Sequence, residues 1–166
     1  MLRVGGWLAG ASLLGLVGCA PVLSQKVLKQ AGEPVDFADL QAHPESWQGK
    51  VVILGGTLLQ VHEEPGGSVL EILERPLDYR LRPIPGDLSR GRFLVRLAGE
   101  ADSRVWTPGR WLTLAGRVVG VETRPIGQTA YRYPVMTLEE VHLGPRPGEP
   151  VHRPWVFFGI GGSVPF

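Results

Sequence analysis

Polar and apolar positions change period along this chain, and each change marks an element. In Asp36-Phe37-Ala38-Asp39-Leu40-Gln41-Ala42, Phe37 and Leu40 stand three apart on one helical face. Asp36 is a good capping residue and Pro44 stops the run, so one short helix is predicted there. From Val51 the pattern is that of strands. Val51 to Val61 is a long β-branched and apolar run with Gly55-Gly56 at its centre. Glycines weaken a strand unless it must bend, as in a small barrel. Glu64-Pro65-Gly66-Gly67 signals a hairpin, and Ser68 to Glu74 returns as a second strand. Arg75 to Gly91 holds three prolines and two glycines and reads as a long loop. Phe93, Val95 and Leu97 alternate with Arg92, Leu94 and Arg96, which gives a third strand with one apolar face turned to the core. Trp111 to Glu122 and Tyr131 to His142 complete five strands, with Pro134 near the start or on the edge of the last. The prediction is an all-β fold with one short N-terminal helix: a small five-stranded OB-like barrel or, as the alternative, a curled antiparallel sheet. Recurrent glycines inside long strands favour the barrel.

Outside this domain the pattern changes again. Met1-Leu2-Arg3 is a short positive stretch, and Val4 to Val17 is uncharged and mostly apolar. That length suits a signal peptide and falls short of the roughly 20 residues a bilayer span needs. Leu16-Val17-Gly18-Cys19 resembles the bacterial lipobox. The resemblance implies a diacylglyceryl group on the Cys19 thiol, cleavage after Gly18, and acylation (palmitate) of the new amine. Ala20 in place of Asp implies sorting to the outer membrane. The chain is thus divided into a cleaved signal peptide (1–18), a lipidated tether (19–35), an OB-like β domain (36–143) and a Pro/Gly/aromatic C-terminal tail (144–166). That tail ends in an apolar run from Trp155 to Phe166. It is suited to folding back on the barrel, to lying on the membrane or to docking on a partner.

Composition narrows the functions. Cys19 is the one cysteine, so no disulfide, thiolate metal site or catalytic thiol is available in the domain. Loss of Arg3 with the signal leaves 16 basic against 16 acidic residues, without the basic excess of a nucleic-acid binder. All 15 prolines and 18 of 23 glycines lie beyond residue 18, a density that favours short strands over a helix bundle.

Chemistry-bearing motifs are sparse. His43, His62, His142 and His152 are scattered, without metalloprotease spacing. Ser89 and Ser103 lack a nucleophile-elbow context. Glu139-Glu140 point to opposite faces of a strand. Gly55-Gly56 and Gly66-Gly67 have neither the spacing nor the following helix of a phosphate cradle. Neither a cofactor nor a metal is expected. Arginines and aromatics are the more informative set: Arg75, Asp78, Arg92, Trp106, Arg110, Tyr131 and Tyr133. Guanidinium forks and aromatic faces suit anionic or sugar ligands. The structural reading, which is preferred, pairs Arg75 and Arg92 with Asp78, Asp87 or Glu71 and so pins the 75–91 loop.

Several local patterns together resemble the Slp, or starvation-inducible, outer-membrane lipoproteins. They are Pro44-x-x-Trp47-x-Gly49-Lys50 running into Gly55-Gly56, Leu70-Glu71, Arg75-Pro76-Leu77-Asp78 and Ser89-x-Gly91-Arg92-Phe93. Gly109-Arg110-x-Leu112-Thr113-x-Ala115-Gly116, Ile126-Gly127 and Tyr131-x-Tyr133-Pro134-Val135 complete the set. Asp102-Ser103-Arg104-Val105-Trp106 and Leu143-Gly144 depart from the family's pattern at one loop and at the last strand end. The resemblance implies an outer-membrane location and a link to starvation or envelope stress, and it assigns no chemical activity; the domain is expected to face the periplasm. Two function classes follow. The leading one is a non-catalytic structural or binding module of the envelope, whose partners are the membrane through its lipid and other envelope proteins or glycans. The other is a carrier or enzyme accessory holding an oligosaccharide or anionic ligand in a barrel cleft lined by Arg75, Arg110 and Tyr133.

Overall fold

The computed structural model describes residues 22–32 and 34–149. The signal peptide, Cys19 and the apolar C-terminal run lie outside the described residues. Three short helices, α1 (Gln25–Ala31), α2 (Phe37–Ala42) and α3 (Pro44–Trp47), precede five strands. These are β1 (Val51–Glu64), β2 (Gly67–Arg75), β3 (Arg92–Arg96), β4 (Trp111–Ile126) and β5 (Thr129–Leu143). The strands close into a barrel in the order β1-β2-β3-β5-β4, with β4 hydrogen-bonded back to β1. This is the expected OB-like barrel, with one refinement: β3 and β5 run parallel, Leu94 beside Val135. Alternating patterns in single strands carry no information on that pairing.

The predicted helix is α2, capped by the Asp36 carboxylate accepting from the Ala38 amide. Two further helices flank it. Helix α1 falls within the stretch read from sequence as tether. Ser24 caps it, and Leu23 and Val27 pack with Val51 and Ala115 on the outer wall of β1 and β4. The Ser24 amide and hydroxyl both donate to Glu140 of β5, at 2.7 and 2.6 Å, which fixes the helix start to the barrel.

Inside the barrel, Leu54, Leu58, Leu70, Ile72, Phe93, Val95, Leu112, Leu114, Val118 and Met136 form one buried cluster, closed at one end by Phe37 and Leu40 of α2. Phe93 and Val95 are buried as expected and Leu97 packs at the margin. The glycine pair in β1 has a packing reason. A Cβ on Gly55 would lie 2.3 Å from Leu77, and one on Gly56 2.3 Å from Ile72. Both side chains occupy the space the glycines leave.

Strands β4 and β5 extend beyond the barrel as a long hairpin. A register shift between Val118 and Gly120, where Gly120 adopts φ +148°, bends it. Val119, Ile126 and Tyr131 of this extension pack against Val69, Leu94, Tyr133 and Val135 in a second cluster. Leu94, on the polar face of β3 by alternation, is therefore fully buried.

Candidate functional site

The outer-face cluster surrounds a polar clasp. Counting outward from the Glu64–Gly67 turn sets His62 opposite Val69, so that Glu71 on β2 is its diagonal neighbour. Arg92 of β3 and Tyr133 of β5 flank Glu71 from the other side. Arg92 Nη1 donates to Glu71 Oε1 at 2.9 Å and the Tyr133 hydroxyl donates to the same oxygen at 3.1 Å. His62 Nε2 lies 3.2 Å from Oε2. Burial works to raise the Glu71 carboxyl, but hydrogen bonds from Arg92, His62 and Tyr133 outweigh it and hold the group below its ordinary range. The Arg92 guanidinium is held above its ordinary value, chiefly by its bond to Glu71. Burial, followed by the Glu71 charge, pushes the Tyr133 hydroxyl up. A carboxylate held below its ordinary range and bonded to three donors is poorly suited to accept a proton near neutral pH, which is what a general base must do.

Tyr131 extends the clasp to the helices. Its hydroxyl accepts from the Arg92 amide at 2.8 Å and from Gln41 Nε2 of α2 at 2.6 Å. Gly91 makes the approach possible: a Cβ there would sit 2.3 Å from that hydroxyl, and its φ of +145° disfavours any other residue. Tyr131 and Tyr133 meet edge to face at 4.7 Å between centroids.

The 75–91 loop is held differently from the sequence expectation. Arg75 pairs with no carboxylate among the described residues. Its Nε donates to Thr57 Oγ1 at 3.3 Å and its Nη1 to the Gly86 carbonyl. Arg75 thus pins the loop, but through a backbone oxygen. Asp78 accepts from the Arg80 and Arg82 amides at 2.8 and 2.9 Å and shapes its own turn. Leu81, at φ +59°, presents its carbonyl to the buried Thr113 hydroxyl at 2.6 Å. The buried Glu74 carboxylate accepts from the Arg90 amide at 2.8 Å, while the Arg90 guanidinium reaches Asp36 at 3.0 Å. Asp87 forms no ion pair with Arg75 or Arg92 among the described residues. Between this loop, α1 and β1 lies an open cleft of about 510 Å³.

Arg110 and Trp106 occupy a third place. Arg110 donates to the carbonyls of Gly144 and Val105 at 2.8 and 2.7 Å, tying the last strand end to the preceding loop. Trp106 packs against the inner core. The seven arginine, aspartate and aromatic candidates are therefore split among three locations. Arg75 lines the cleft, whereas Arg110 and Tyr133 do not. Glu139 and Glu140 diverge as expected, to Arg117 at 2.9 Å and to Ser24. His142 stands beside Thr113, away from His62. Among the described residues no group of three His, Cys, Asp or Glu side chains is arranged to hold a metal.

Two centres went unrecognised in the sequence. Glu71 entered only as one of several partners for an arginine, although the hairpin register alone sets it diagonal to His62. Glu74 carries no local signal at all, because its partner amide arrives from 16 residues away.

Known proteins bear on these observations. Residues 16–159 match the model of the outer membrane lipoprotein Slp family. An Escherichia coli (strain K12) protein described as an uncharacterized lipoprotein, YeaY, is 30% identical over 165 residues, covering 94% of this chain and 83% of its own. The match spans the lipobox, the barrel and its clasp, and the chain belongs to the Slp family of outer membrane lipoproteins.

Proposed function

We propose that the protein is a non-catalytic structural or binding module of the envelope, held on the outer membrane by a lipid on Cys19 after removal of residues 1–18. The observation that carries this reading is the internal use of its polar groups. The barrel interior is filled by apolar side chains, and Arg75, Arg92 and Arg110 each bond to groups of the same chain. No convergent set of free donors or reacting groups stands in a groove among the described residues. A filled barrel of this kind works by presenting its surface, so its expected partners are envelope proteins or glycans. Its service under starvation or envelope stress is the expectation the family name carries.

The anchor is tested by Cys19→Ser. The account expects loss of acylation, with release into the soluble envelope fraction or retention of the uncleaved precursor. A mature, membrane-bound Cys19→Ser protein indistinguishable from the parent contradicts it. The module reading is tested by in-cell crosslinking of the tethered protein with mass spectrometry of what is captured. Crosslinks to envelope components support it. Turnover of a small molecule by the purified chain overturns it.

A further inference from the structure

Exposed apolar side chains and unpaired cations gather beside the anchored end of the molecule. Three residues separate Cys19 from Leu23, which is 2% exposed and packed on the barrel wall. At ~3.6 Å per residue the chain from Leu23 back to Cys19 reaches at most about 14 Å. A lipid on Cys19 therefore holds α1 close to the bilayer surface. Helix α1 and the 75–91 loop form opposite walls of the same cleft, through Leu28 and Ala31 on one side and Leu77, Tyr79 and Leu81 on the other.

We propose that the 75–91 loop is a second, protein-based membrane contact, seated in the interface of an anionic phospholipid surface. Tyr79, Ile84 and Leu88 are 86%, 41% and 74% exposed. Among the described residues they are three of the four large apolar side chains that face solvent, and all three lie in this one loop. The loop does not fold them away, because Arg75, Asp78 and the Thr113–Leu81 bond hold its backbone. Charge gathers on the same side. Helix α1 and the loop carry six cations, Lys26, Lys29, Arg75, Arg80, Arg82 and Arg90, against the carboxylates of Asp78 and Asp87. The excess stays positive when Glu33 and Asp36 of the connecting segment are counted, on a mature chain of zero formal charge. Lys26, Lys29, Arg80 and Arg82 form no ion pair among the described residues. Arg80 lies over the Tyr79 ring at 5.1 Å.

An aromatic ring with adjacent arginines suits the headgroup boundary, where the ring and aliphatic stems enter the apolar layer and guanidinium groups meet phosphates. Two or three acyl chains on Cys19 already make attachment permanent. The loop therefore adds orientation. It turns the barrel so that the β1–β2 turn, eight residues along β2 from Arg75 and roughly 26 Å away, points from the membrane.

The proposal rests on lipidation of Cys19 for its geometry, so the test removes the lipid. The mature chain carrying Cys19→Ser has no other cysteine. A second change, Leu88→Cys or Pro65→Cys, then takes one environment-sensitive fluorophore on the loop or on the far turn. The chain is mixed with phosphatidylcholine vesicles, with and without phosphatidylglycerol. The expected result is partition that requires phosphatidylglycerol, with a blue shift at position 88 and none at 65. Measured by co-sedimentation of the unlabelled chain with the vesicles, Tyr79→Ser with Leu88→Ser should lower the partition constant at least about tenfold, since each change removes an apolar side chain that enters the membrane interface. Both residues are exposed, so melting should be unchanged. Absence of partition overturns the proposal. So does partition that survives the double variant or shifts the probe at 65, which assigns the binding to another surface. Because the tested chain is unacylated, these outcomes are independent of how Cys19→Ser fractionates in cells.

Discussion

Removing the Glu71 carboxylate strikes the outer-face clasp at its centre. Glu71→Ala deletes the acceptor for Arg92 at 2.9 Å, Tyr133 at 3.1 Å and His62 at 3.2 Å. These losses are unequal. The Arg92 side chain is 35% exposed, so its freed guanidinium turns to water and the lost pair costs about 0.5–1 kcal/mol. His62, also partly exposed, adds a few tenths of a kcal/mol. Tyr133 is 2% exposed, and a buried hydroxyl deprived of its acceptor costs about 1–3 kcal/mol. The total is about 2–4 kcal/mol, with Tyr133 the largest part. Urea unfolding of the non-acylated Cys19→Ser chain, followed by circular dichroism, measures it. A double-mutant cycle with Tyr133→Phe isolates the hydroxyl–carboxylate bond and should give a coupling of about 1 kcal/mol. Loss of less than about 0.5 kcal/mol in Glu71→Ala, together with zero coupling, would refute the clasp.

Two further outcomes follow from the same structure. Phe93→Ala removes a fully buried ring that packs on Phe37 at 6.0 Å between centroids, and should cost about 3–5 kcal/mol in the same unfolding assay. Stability should also fall at both pH extremes. Glu71 titrates lower in the folded chain than its unfolded value of about 4.3, so its contribution is complete above that pH and lost as pH falls through the folded value. Tyr133 titrates above its unfolded value of about 10, so its contribution is complete below that pH and lost as pH rises. Urea midpoints across pH should show a shallower acid limb in Glu71→Gln than in the parent.

Strands and barrel were legible because each rests on local information. Alternation in Phe93, Val95 and Leu97 names the core face, and Gly55-Gly56 names the place where β1 is overlaid by Leu77 and Ile72. Helix α1 was legible in part: Ser24 is a cap, and Leu23 and Val27 stand four apart on one face, but the flanking prolines suggested a tether. Burial of Leu94 was not legible, since it depends on the β4–β5 extension bending at Gly120 over the outer wall. Among the site residues, Arg92 met a carboxylate that had been named for it, through pairing of β2 with β3. Arg75 did not, because its partner is a carbonyl of a loop, and side-chain types do not report which backbone oxygen a loop turns inward.

Arg75→Lys and Arg92→Lys test the central claim, that the arginines serve the fold and the protein acts through its surface. Lysine keeps the charge but loses the fork that lets Arg75 span Thr57 and Gly86, and it loses the geometry that fits Arg92 to Glu71. The measurement is thermal melting of each variant, paired with in-cell crosslinking of the same variant. The account predicts a clear drop in melting temperature with the parent's crosslinks retained. Unchanged melting with those crosslinks lost would contradict it.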